Sequence, residues 1–246
     1  KFEVIEFGAG DGLKTSILIE YLLENRKEFM FIPIDISSNV LDLLSNDLRT
    51  KYPEIDLLPV NDDYFKALEQ VNAISRMQKV VLFIGSNIGN FRRNEAISFL
   101  KKLWDLLDPG DKVLIGFDMK KDPAVIAAAY DDEAGHTRAF NLNLLSRINR
   151  ELGGQFNLET FDHFPTYEPN TGAAKSYLIS KEKQSVAIEA LQETFHFNAG
   201  ELIFTEISQK YDEAMIEDLA TSAGFSVCGH FYDKKKYFVD SLWCRE

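Results

Sequence analysis

The chain has 246 residues, enough for one or two domains, and its 45% apolar and 27% charged side chains exclude a disordered, collagen-like or low-complexity protein. Acidic side chains outnumber basic ones 39 to 27, and the resulting net charge of −12 argues against a nucleic-acid partner, so a small molecule is expected. The two cysteines, Cys228 and Cys244, are too few for a zinc cluster or a disulfide scaffold, which fits a reducing cytoplasm, and no apolar run approaches the roughly 18 residues of a membrane span.

The opening Lys1-Phe2-Glu3-Val4-Ile5-Glu6-Phe7 alternates as a strand does and carries no signal-peptide pattern. The chain thus starts inside a structural element, and residues preceding Lys1 in the natural protein are expected. Helical and strand periods then alternate: helix 15–23, strand 29–34, helix 38–48, strand 57–60, helix 64–71, strand 80–84, helix 94–107 and strand 113–117. Such βα alternation predicts a mostly parallel sheet with helices on both faces, and the wholly apolar Val80-Val81-Leu82-Phe83-Ile84 belongs at its centre. After Asp118 the rhythm changes. Helices are expected at 123–130 and 140–152, the second stopped by Gly153-Gly154, followed by meander-like strands from 156 to 206 with turns such as Pro169-Asn170-Thr171-Gly172. A helix at 212–223 capped by Gly224 precedes paired strands at 225–232 and 237–243.

The economical organisation is a doubly wound, Rossmann-like α/β domain of residues 1–120 and 211–246, interrupted by an inserted α+β lobe of residues 121–210. A terminal antiparallel hairpin completing a parallel sheet is typical of methyltransferases that use S-adenosylmethionine.

Glu6-Phe7-Gly8-Ala9-Gly10-Asp11-Gly12 ends a strand and opens a helix, where open α/β sheets bind ligands. A dinucleotide fingerprint would place its third glycine at position 13, which holds Leu13; the GxGxG spacing suits S-adenosylmethionine better. A structural turn is the alternative. Asp35, ending the second strand, can accept from both ribose hydroxyls or cap the next helix. Asp62-Asp63-Tyr64 can take adenine against the ring with a carboxylate on its amino group, or one aspartate can be a cap.

Gly85-Ser86-Asn87-Ile88-Gly89-Asn90 joins the glycine loop with Lys14-Thr15, Ala129-Tyr130-Asp131-Asp132, Phe140-Asn141-Leu142-Asn143, Asn149-Arg150-Glu151-Leu152 and Thr205-Glu206-Ile207-Ser208-Gln209-Lys210. With these motifs in order over essentially its whole length, the chain resembles the histidine-specific methyltransferase family. That family includes the histidine Nα-methyltransferase of ergothioneine biosynthesis and the fungal dimethylallyltryptophan N-methyltransferases. The resemblance implies S-adenosylmethionine as cofactor, surrounded by Gly8, Gly10, Lys14, Asp35, Asp63 and Tyr64. It places Gly85 and Asn90 at the α-amino group that receives the methyl, Tyr130 at the substrate carboxylate, and Glu206 and Ser208 at the imidazole. Two departures stand out, Ser176 at the position of a methionine near the imidazole and Asn87 where threonine is common; in addition, the family's N-terminal segment, which supplies tyrosines to the pocket, is not contained in these residues.

The residue types suit methyl transfer, which needs alignment and a neutral amine more than a metal or a nucleophile. Asn90 can offer its side-chain carbonyl to an amine N–H, although it can equally cap a helix beginning around Arg92. Glu206 and Ser208, at i and i+2 of a strand, share a face and can accept from and pair with the two imidazole nitrogens; a solvated strand edge is the alternative. His136, His163, His196 and His230 lack metal spacing and read as surface or packing histidines. The expected activity is N-methylation of a free amino acid, histidine or a related imidazole or indole compound, by a monomer without nucleic-acid or membrane partners. The alternatives are a non-catalytic binder of S-adenosylmethionine or a nucleoside, and a nicotinamide-dependent oxidoreductase.

Overall fold

A computed structural model describes residues 1–246, which form two compact units: residues 1–118 with 212–246, and residues 119–211. Elements are numbered along the whole chain. The first unit holds β1 (Phe2–Phe7), β2 (Phe29–Ile34), β3 (Lys79–Phe83), β4 (Lys112–Asp118), β10 (Ser226–Tyr232) and β11 (Phe238–Cys244), in the spatial order β10-β11-β4-β3-β1-β2. The pairs among β1 to β4 are parallel, while β11 runs antiparallel to both β4 and β10. This is the expected doubly wound sheet closed by a hairpin.

Both faces of β1 are buried, which explains why its alternation is incomplete. Val4 packs with Ile19 and Leu22 of α1 (Leu13–Glu24) and with Leu44 and Leu48 of α2 (Ser38–Lys51). On the other face Phe7 stacks on Tyr64 of α3 (Tyr64–Ile74) at 4.8 Å, and Phe83 stacks on Phe99 of α4 (Arg93–Leu106) at 5.0 Å. Polar caps fix the helix starts: Ser37 accepts from Val40 N–H, and Asp212 accepts from Met215 N–H to open α7 (Glu213–Ala223).

Residues 57–60 do not form the expected strand. They make isolated bridges from Leu57 to Phe31 and from Val60 to Ile34: the N–H groups of Leu58 and Val60 donate to the Phe31 and Pro33 carbonyls, but Pro33 of the facing β2 has no N–H to donate back. A second difference concerns the cysteines. Cys228 and Cys244 are joined in a disulfide across the β10–β11 pair, with Cα atoms 6.0 Å apart, beside a register shift between Val227 and Gly229. The cysteine count gave no reason to pair them; the bulge did the pairing. No helix is long and apolar enough to cross a membrane.

The second unit holds α5 (Pro123–Tyr130), α6 (His136–Leu152), β5 (Phe161–Glu168), β6 (Ala173–Ser180), β7 (Gln184–Ile188), β8 (Glu193–Phe197) and β9 (Leu202–Gln209). The strands do not form one meander: β5-β6-β9 is an antiparallel sheet and β7-β8 a separate pair. Its core joins Leu142 and Leu145 of α6 to Phe161, Leu178, Val186 and Ile188. Helix α6 starts earlier than its apolar period suggests because Asp132 accepts from the N–H groups of His136 and Thr137, both at 2.8 Å.

Candidate active site

In the first unit the glycine loop between β1 and α1 borders a cavity of about 160 Å³ lined by Glu6, Gly8, Gly10, Asp11, Lys14, Gly85 and Asn87, among others. Gly8, Gly10 and Gly12 all have left-handed φ, at 71°, 53° and 66°, as a loop that folds its backbone toward a ligand requires. A Cβ on Gly8 would lie 2.9 Å from Tyr64 Oη, and one on Gly85 would lie 2.9 Å from Lys14 Nζ, so Lys14 and Gly85 meet as expected. Beside this cavity, a larger hollow of about 770 Å³ runs along α1 past Ile17, Leu18 and Tyr21, sharing Lys14, Ile84 and Gly85 with the first. Asp240 of β11 lines it, and burial pushes its carboxyl up against the opposing charge of Lys14.

The remaining expected residues of this unit divide. Asp35 lies under the loop, accepting from Ser37 N–H at 2.9 Å and Gly10 N–H at 3.5 Å, and leaves the cap of α2 to Ser37. The Tyr64 hydroxyl lies over Gly8, and burial together with Asp35 raises its pKa. The Asp63 carboxylate is committed elsewhere. It accepts from Phe65 and Lys66 N–H at 3.2 and 3.1 Å and pairs with Lys66 Nζ at 2.9 Å, so both of its oxygens serve α3. Asn90 ends a short 3-10 turn (Asn87–Asn90) with an exposed side chain and does not cap α4, whose cap is Arg92. Asn87, not Asn90, lines the cavity; its amide Nδ2 donates to the Ile84 carbonyl at 3.3 Å, which leaves Oδ1 as an acceptor.

The second unit gathers Tyr130, Ser176, Glu206 and Ser208. Ser176 of β6 is fully buried, lies opposite Glu206 of β9 and donates to its Oε1 at 3.2 Å. A register shift at Thr205 turns Glu206 and Ser208 away from Phe204, which instead meets Tyr177 edge-on at 5.7 Å. Tyr130 closes α5, and its hydroxyl accepts from Lys210 Nζ at 2.7 Å; the same ammonium donates to Ser208 Oγ at 2.8 Å.

The family model described as histidine-specific, SAM-dependent methyltransferase matches residues 1–245. The chain belongs to that family. It is 34% identical over 218 residues to the histidine N-alpha-methyltransferase of Mycolicibacterium smegmatis, covering 88% of this chain and 67% of that protein. With the ergothioneine biosynthesis protein 1 of Neurospora crassa it shares 38% identity over 155 residues, 61% of this chain and 17% of the fungal protein. Among solved structures, the CcbJ methyltransferase from Streptomyces caelestis superimposes with a TM-score of 0.54 over 100% of this chain and 89% of its own; at 14% identity this speaks for the fold alone.

As a histidine-specific methyltransferase family member the chain uses S-adenosylmethionine, and the first unit fits that cofactor on its own geometry. Glu6 carries the decisive feature. Its side chain is buried, Thr15 Oγ1 donates to Oε1, and Oε2 has no partner, so an acceptor borders the cavity where a cationic ligand would satisfy it. Burial pushes this carboxyl up to about 7, against the pull of Thr15 and Lys14. Glu6 was missed as a site residue although it immediately precedes Phe7-Gly8, where a carboxylate in an apolar strand is itself a signal. His163 was read as an ordinary packing histidine; its Nε2 is buried without a partner, burial lowers its pKa, and the Glu206 and Asp131 charges act against that. Lys210 stood inside a recognised motif with no role.

Proposed function

We propose that the chain transfers methyl groups from S-adenosylmethionine to the α-amino group of a free amino acid with an imidazole side chain, histidine foremost. The carrying observation is the Glu206 and Ser208 pair: a carboxylate held by Ser176 and a hydroxyl two residues along the same strand, matching the N–H and the lone pair of an imidazole. The name of the mycobacterial relatives, histidine N-alpha-methyltransferase, favours the same substrate.

In this reading Gly8, Gly10 and Gly85 let the cofactor approach the backbone. Glu6 and Asp35 offer carboxylates to its cationic end and its ribose, and Lys14 offers a cation to its carboxylate. When bound, S-adenosylmethionine supplies an electrophilic methyl group on positively charged sulfur. The chain's own work is to orient an amine and keep it neutral, since free amines are mostly protonated at pH 7. Asn87 Oδ1 is the acceptor beside the glycine loop, and the Tyr130 hydroxyl is the donor offered to the substrate carboxylate.

The test is incubation with S-adenosylmethionine and a panel of free amino acids, read by mass spectrometry. Histidine gaining methyl groups, with equivalent S-adenosylhomocysteine formed, is the expected result. Methylation of tryptophan but not histidine overturns the imidazole assignment, and cofactor binding without any methylated product overturns the enzymatic one.

A further inference from the structure

Lys210 is 3% exposed, and its ammonium donates to both Tyr130 Oη and Ser208 Oγ. An ammonium has donors only, whereas each hydroxyl has one proton and two acceptor lone pairs. A hydroxyl that accepts from Lys210 therefore cannot aim its own proton at Lys210, and must spend it elsewhere. The positive charge also withdraws electron density from the oxygen and makes it a better donor. Glu206, with one oxygen already accepting from Ser176, is an acceptor when ionised.

From this polarity we infer that Lys210 is a specificity-determining, positioning residue, which fixes Ser208 as a donor opposite the acceptor Glu206 and so selects a neutral imidazole. The inference rests on the functional reading above and deepens it. A neutral imidazole has one N–H, which Glu206 takes, and one ring lone pair, which Ser208 fills. An imidazolium presents a second N–H, which Ser208 Oγ could take only on its remaining lone pair, beside the Lys210 ammonium and against its charge. An indole presents carbon where Ser208 offers its proton, leaving a polar group unpaired, and sites that require a hydrogen bond reject analogues lacking it. The same ammonium makes Tyr130 a donor, which suits a carboxylate. Spacing agrees: residues two apart on a strand stand about 6.6 Å apart along it, room for a ring between two hydrogen bonds.

The test compares the unsubstituted protein with Lys210→Met and Lys210→Arg, using histidine, tryptophan and the two histidines methylated on one or the other ring nitrogen. Initial rates give KM and kcat, and hydrogen exchange over residues 119–211 checks that the second unit folds. The unsubstituted protein is expected to prefer histidine to both ring-methylated isomers, because a neutral imidazole methylated on either nitrogen keeps a lone pair but no N–H for Glu206. Lys210→Met should raise KM for histidine at least about tenfold, change kcat less and narrow the gap between histidine and tryptophan, while Lys210→Arg restores most of the discrimination. Unchanged KM and an unchanged preference for histidine over tryptophan in Lys210→Met overturn the inference. So does a loss of equal size for every substrate, which marks a merely structural lysine. If the unsubstituted protein methylates no histidine, the functional reading fails first and the inference with it.

Discussion

Glu6 is the last residue but one of β1, with its carboxyl turned into the protein, and its pKa near 7 makes it the residue whose titration most exposes the site. A carboxyl raised in the folded state holds its proton longer there than in the unfolded chain, so folding is relatively favoured while both states are protonated. That advantage is present below about pH 4.5 and is lost as pH rises through about 7. Glu6→Gln should therefore leave stability near pH 4.5 little changed and raise it at pH 8 by on the order of 3 kcal/mol, as denaturant titrations at the two pH values would read. Equal effects at both pH values would remove burial as the cause. The same group reports on function: a cation settling beside Glu6 lowers its pKa, so S-adenosylmethionine binding near pH 7 should release a proton in the parent and not in Glu6→Gln. Calorimetry in buffers of different ionisation heat checks this. Residue identity was legible around the loop because glycines and carboxylates at a strand end are few. Which neighbour does the work was not, since Asp63 and Asn87 differ from their alternatives only in where the backbone turns.

At the scale of elements, the β1–α1 loop shows how one spacing serves two ends. Gly12 starts α1, and a Cβ there would run into Leu44 Cδ1, which is buried in the core with Ile19 and Leu48. Gly10 also has positive φ, but nothing lies nearer to its absent Cβ than the Gly8 carbonyl at 3.9 Å. Gly12→Ala should thus cost at least about 2 kcal/mol of stability, from left-handed strain plus overpacking, while Gly10→Ala costs about 1 kcal/mol. Gly10→Ala should instead lose cofactor affinity, because its methyl enters the space the loop encloses. Thermal melts and calorimetry on both variants separate the two; equal melting of both would mean that Leu44 does not fix the glycine. The sequence period found β1, β2 and α5 at their observed bounds, since each carries its own signal of alternation or of Asp-Pro capping. It failed where the partner decides. The ladder beside residues 57–60 is broken by Pro33 of the facing β2, and the shift at Thr205 that separates Phe204 from Glu206 depends on pairing with β6.

Across the whole molecule, the chain builds two cores and crosses between units twice. The two ends of the second unit are fastened side by side by the Met119–Tyr211 bridge and by Lys120 N–H to the Tyr211 carbonyl at 2.7 Å. An insertion with adjacent ends is tolerated by its host because lengthening a closed loop costs only the logarithm of its length. Loosening the second unit should therefore leave the first standing. Leu178 is fully buried at the middle of β6, beside Phe161 and Leu145, and shares no side chain with the first unit's Val4 and Phe31 cluster. Leu178→Ala should cost about 2 to 5 kcal/mol through lost burial and the cavity left behind. Hydrogen exchange should place that loss in residues 119–211, with amides of β1 and β3 still protected and S-adenosylmethionine affinity within about twofold of the parent. Histidine methylation should fall at the same time, since Glu206 and Ser208 stand on the sheet that Leu178 supports, and Lys210 directly follows its last strand. Protection lost equally in β1 would instead show that the two cores melt as one.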